Sequence, residues 1–117
     1  MKKEKYFDKA LNWVLQNGFS EVKANHEDYP QPTSFSTSGA DSAIVPDITG
    51  LKKGAKSYIE ISTKTDNPNS TVTRWKLLST LANRKGGQLV LLAPRGHKSF
   101  TQRLIEQYFI PARVISI

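Results

Sequence analysis

The stretch QLVLLAP, residues 88–94, runs through five consecutive apolar residues with no polar alternation. A strand of this kind has no face to give to water, so it must be covered on both sides, as strands of buried parallel sheets are. The flanking sequence can supply the cover. STVTRWKLLSTLANRKGG reads as a helix before it, with Trp75, Leu78, Leu81 and Ala82 on one face, joined by Leu77, and a stop at Gly86-Gly87. SFTQRLIEQYF reads as a helix after it, with Phe100, Leu104, Ile105 and Tyr108 on one face, and ARVISI as a last short strand. Strands joined through helices suit parallel crossovers.

The first half has a different rhythm. Phe7, Ala10, Leu11, Val14 and Leu15 follow helical spacing, and Gly18 ends that helix. FSEVKAN reads as a strand. Residues 29–43 form a long loop rich in Ser, Thr, Pro and Gly. AIVPDITG and KSYIEISTKT are two further strands joined across a Lys53-Gly54 turn, and DNPNS breaks the chain after them. The order is helix, three strands, helix, strand, helix, strand. It predicts one α/β domain over 1–117, a mixed central sheet flanked by helices.

Composition narrows the partners. The chain has 117 residues, no cysteine, and 17 basic against 10 acidic residues for a formal charge of +7. No disulfide framework or thiolate metal site can form, which suits a reducing cytoplasm. No apolar run approaches the ~20 residues a membrane span needs. A basic surface suits phosphate neutralisation on nucleic acid.

The chemistry gathers in the hairpin. A turn at Lys53-Gly54 places Ile48 opposite Ile59 and Asp47 opposite Glu60. The isoleucines then share a core face, and the other face brings two carboxylates to roughly ~5 Å. Like charges so placed destabilise a sheet unless a proton, a basic side chain or a divalent cation offsets them. Mg²⁺ or Mn²⁺ prefer such oxygen donors. Strand alternation points Glu60, Ser62 and Lys64 to one side, and the long lysine stem can bring an amine to the carboxylates.

Here the sequence resembles a known family. PDI, a hairpin and an apolar strand ending IEIS resemble the PD-(D/E)xK nuclease superfamily, and within it the archaeal Holliday-junction resolvase group. FDKALNWVLQNGF looks like that group's first helix, and KLLSTLANRKGGQLVLL like its later helix and strand. The resemblance implies a restriction-endonuclease-like αβββαβ core and metal-dependent hydrolysis of phosphodiesters in nucleic acid, with DNA the expected kind. It implies Asp47, Glu60 and the carbonyl of Ile61 as metal ligands, with Asp8 completing the set. It also implies a homodimer. The family's lysine position is Ser62 here, so Lys64 is the candidate replacement. A silent nucleic-acid-binding module on the same fold and a basic protein-interaction domain are the alternatives.

Basic residues that could track phosphate are Lys52, Lys53 and Lys56 at the hairpin tip, Arg74 and Lys76 on the helix, Arg84 and Lys85 at its end, and Arg95 with Lys98 after the apolar strand. A solvated surface explains the same residues. His26 and His97 lie in no zinc-binding spacing. The serines of residues 33–42 lack a nucleophile elbow.

Overall fold

The structure, a computed structural model, describes residues 3–36 and 43–117. The chain is α/β. A short 3-10 turn, Glu4–Tyr6, leads into α1 (Phe7–Gln16), followed by β1 (Ser20–Ala24), β2 (Ile48–Lys52), β3 (Ala55–Ile61), α2 (Pro68–Arg84), β4 (Leu89–Ala93), α3 (Lys98–Gln107) and β5 (Arg113–Ser116). The five strands stand in the sheet in chain order, β1-β2-β3-β4-β5. The first two pairings are antiparallel and the last two parallel. Among the described residues, no helix is long and apolar enough to cross a membrane.

Helices cover both faces of this mixed sheet. Phe7, Ala10, Leu11 and Val14 of α1 pack with Ile48, Ile59, Ile61, Val90 and Leu92 on one side. Val72, Trp75, Leu78 and Ala82 of α2 and Leu104 and Ile105 of α3 pack with Tyr58, Leu89 and Leu91 on the other. Every residue of β4 is buried, as its unbroken apolar run requires. Leu15, expected on the core face of α1, is instead 54% exposed.

The hairpin turns as its sequence indicates. Lys53 and Gly54 both have positive φ, 52° and 78°, the backbone a two-residue turn between twisted strands favours. Ile48 stands opposite Ile59. Two strand limits differ from the expectation. β2 begins at Ile48 rather than before Pro46, whose missing N–H cannot join a ladder. β3 ends at Ile61, four residues before the expected limit. Of the long loop, Phe35 and Ile44 pair through two backbone hydrogen bonds, and Phe35 packs edge-on to Tyr58. Residues 37–42 of the loop lie outside the described residues.

A buried carboxylate pair as candidate functional site

Asp47 and Glu60 meet where β2 begins and β3 nears its end. Glu60 is wholly buried and Asp47 is 5% exposed. The backbone interlaces them: the Asp47 N–H donates to Glu60 Oε2 at 2.7 Å, and the Ile61 N–H donates to Asp47 Oδ2 at 2.9 Å. The expected polar face of the hairpin is therefore real but not solvent-facing. Alternation puts Tyr58, Glu60 and Ser62 on the side that α2 and α3 cover.

Two cations offset the pair. Arg74 of α2 bonds Glu60 Oε1 through Nε, Glu60 Oε2 through Nη2 at 3.2 Å, and the Val45 carbonyl through Nη2 at 2.5 Å. Its Nη2 also stands 3.6 Å from Asp47 Oδ1. Lys3 donates from Nζ to Asp47 Oδ2 at 3.1 Å. The Asp47 carboxyl is nonetheless pushed up to about 6, by burial first and the Glu60 charge second, against the lowering pull of Lys3, Arg74 and the Ile61 N–H.

The pair reaches solvent through Asp47. A cavity of about 460 Å³ is bounded by Asp47, Glu4, Phe7, His26 and Tyr29. His26 stacks on Phe7 at 5.1 Å, and its buried Nδ1 lies 3.7 Å from Glu4 Oε1 without a hydrogen bond.

The other expected site residues lie as follows. Ser62 is buried, and its hydroxyl meets Thr101 Oγ1 at 2.5 Å under α3. Thr101 in turn donates to the His97 carbonyl at 2.9 Å, so the Ser62 position is a packing contact rather than a place for an amine. Lys64 is exposed beyond the end of β3, where strand alternation no longer directs it, and its backbone N–H donates to His97 Nδ1 at 2.9 Å. Its ammonium forms no ion pair with Asp47 or Glu60; the cations there are Arg74 and Lys3. Asp8 is exposed on α1 and joins neither carboxylate, whereas Glu4, one turn earlier, faces the Asp47 cavity.

Among the expected phosphate-binding residues, Arg74 points inward to the acids. Lys76 lies over the Tyr108 ring at 5.6 Å and Lys52 over the Phe19 ring at 5.3 Å. Lys53 and Arg95 are exposed on turns.

Sequence reasoning missed the inward role of Arg74, although one signal was present. Arg74 precedes the buried Leu78 by four residues and so shares its helical face. No comparable signal marks Lys3, whose role depends on how the chain enters α1.

The donor chemistry suits a hard divalent cation in part. Two adjacent carboxylates offer oxygen ligands, and among the described residues Asp47 Oδ1 accepts no hydrogen bond. Among the described residues, no group of three His, Cys, Asp or Glu side chains comes together to hold a metal. A cation here would rely on these two carboxylates and on backbone oxygen. No protein-family description, curated protein or solved structure matches the chain.

Proposed function

We propose that this chain is a metal-dependent nuclease-like domain of the PD-(D/E)xK kind, hydrolysing phosphodiesters in nucleic acid, with DNA as the substrate. The observation that carries this reading is the interlaced, buried Asp47–Glu60 pair bordering a solvent cavity. The element order and mixed sheet are compatible with a restriction-endonuclease-like core. Asp47 and Glu60 would hold Mg²⁺ or Mn²⁺, with the Ile61 carbonyl as a further oxygen. A bound divalent ion supplies Lewis acidity and a lowered water pKa.

The chain's own residues do the rest. Lys3 is a flexible point charge with one acceptor, so it is the partner that can release Asp47. Arg74 holds three acceptors and keeps Glu60 oriented while its positive charge faces the site. Asp47 must be ionised to bind a cation, so a cation would compete with the proton that burial favours there. Lys64 has a catalytic part only if its exposed ammonium is drawn in with substrate.

A second reading has its own observation. Arg74 and Lys3 already occupy three of the four carboxylate oxygens, as expected of a silent binding module that uses the pair as an internal clasp. One experiment separates the two. Labelled duplex, single-stranded, junction and RNA substrates are offered with Mg²⁺, Mn²⁺ or EDTA to wild type, Glu60→Gln, Lys64→Ala and Ser62→Ala. Metal-dependent cutting lost in Glu60→Gln upholds the hydrolase. No cutting, together with no Mg²⁺ or Mn²⁺ binding by calorimetry, leaves the silent module.

A further inference from the structure

We infer that the hairpin end of the sheet carries an anchoring surface for nucleic-acid phosphates, formed by Lys23, Lys56 and Lys85. It rests on the proposal above only in taking nucleic acid as the partner.

Three separate segments converge there. Lys23 of β1 stands opposite Thr49, which stands opposite Tyr58. Lys56 of β3 stands opposite Leu51 and two residues from Tyr58. Cross-strand partners and alternate residues share a face, so Lys23 and Lys56 project to the same side. They line one cavity of about 130 Å³ with Thr49 and Glu21.

Lys85 arrives by a specific backbone contact. A Cβ on Gly87 would lie 1.7 Å from the Lys56 carbonyl oxygen. Only glycine lets the turn after α2 lie against β3 at Lys56, and that turn delivers Lys85 two residues earlier. Burial, then the charges of Lys85 and Lys23, lower the Lys56 pKa, so the three ammoniums feel one another.

This cluster differs from the cations of the carboxylate site. Lys3 and Arg74 are consumed by Asp47 and Glu60. Lys23, Lys56 and Lys85 form no ion pair among the described residues, and Lys56 is engaged only by the Tyr58 ring, at 5.4 Å. The single acid on the cavity, Glu21, leaves an excess of positive charge. Lysines that outnumber the acids beside them are destabilised by mutual repulsion, and a backbone phosphate relieves it. Flexible point-charge donors suit phosphate without reading sequence.

The test is binding in EDTA, where hydrolysis cannot interfere. A short labelled duplex is titrated by fluorescence anisotropy between about 50 and 200 mM salt. Lys23→Gln/Lys56→Gln/Lys85→Gln is compared with a charge-matched control, Lys9→Gln/Arg103→Gln/Arg113→Gln. The first triple is expected to weaken binding at least about tenfold and to flatten the log–log salt slope by about 2–3, one counterion per lost phosphate contact. The control is expected to change the slope by less than about 1. Equal losses in both triples, unchanged binding in the first, or no binding by wild type overturns the anchor. Because the chain has no cysteine, Lys85→Cys and Arg103→Cys each take a single photo-crosslinker. DNA crosslinks from position 85 and not from 103 support the anchor; the reverse refutes it. Lysine-dependent binding with no metal-dependent cutting removes the hydrolase reading alone.

Discussion

Replacing Arg74 with Met would strip from a fully buried glutamate the only side-chain donor it has among the described residues. Glu60 would keep one hydrogen bond, from the Asp47 N–H, and the Val45 carbonyl would lose its guanidinium donor. Breaking a buried pair by removing one member costs about 3–5 kcal/mol, because a charge remains without compensation. At about 4 °C per kcal/mol for a domain of this size, the melting temperature should fall by roughly 12–20 °C. The sharper test is a cycle with Glu60→Gln. In the wild-type background that change weakens the fork to Arg74 and should cost about 1–3 kcal/mol. In the Arg74→Met background it removes an unpaired buried charge and should stabilise the protein. Urea unfolding at constant m reads all four corners. If Glu60→Gln destabilises both backgrounds, or Arg74→Met costs less than ~1 kcal/mol as an exposed pair would, the account of the clasp is wrong.

Acidity should act on Asp47 against the usual direction. Its folded pKa is raised from 3.8 to about 6, so the native state holds a proton that the unfolded chain releases between those values. This residue's contribution therefore falls as pH rises through the window, by about 3 kcal/mol in all. Urea midpoints of wild type and Asp47→Asn at about pH 4.5 and 7 should show the wild type losing more on going to the higher pH. Gly87→Ala should prevent the close approach to Lys56 and cost more than about 2 kcal/mol, whereas Gly86→Ala, with φ +73° but open space around it, should cost only ~1–2 kcal/mol. Thermal melts of the two single variants read that contrast. Thr101→Val should cost about 1–3 kcal/mol by leaving the buried Ser62 hydroxyl without its partner, while the His97 carbonyl keeps the Thr101 backbone N–H, and more than Ser62→Ala does; the same melts decide it.

Much of this arrangement was legible in the sequence because it rests on short-range rules. The turn at Lys53-Gly54 sets the Ile48–Ile59 register, and register alone puts Asp47 beside Glu60. The apolar run of β4 demanded two covered faces, and both are covered. What was not legible depended on where strands stop and which helix lies over them. Extending β3 through Lys64 made that lysine the natural cation. The ladder ends at Ile61, however, and a side chain from another element supplies the charge. Asp8 was placed by its position on the first helix, but α1 turns it to solvent and the preceding 3-10 turn offers Glu4 to the cavity. Long-range electrostatics of this kind has no local sequence signature, since it is fixed only when helices dock.

Strand order that equals chain order has a consequence for how the protein is made. Each new strand docks beside the one just completed, so the sheet can grow in one direction as the chain leaves the ribosome. The β2–β3 hairpin closes on the microsecond scale of local contacts. Lys3, Asp47, Glu60 and Arg74 all lie before the end of α2, so the charge cluster can assemble before β4 and β5 exist. A cluster assembled at that point would stand beside the still unpaired edge of β3, against which β4 docks in parallel.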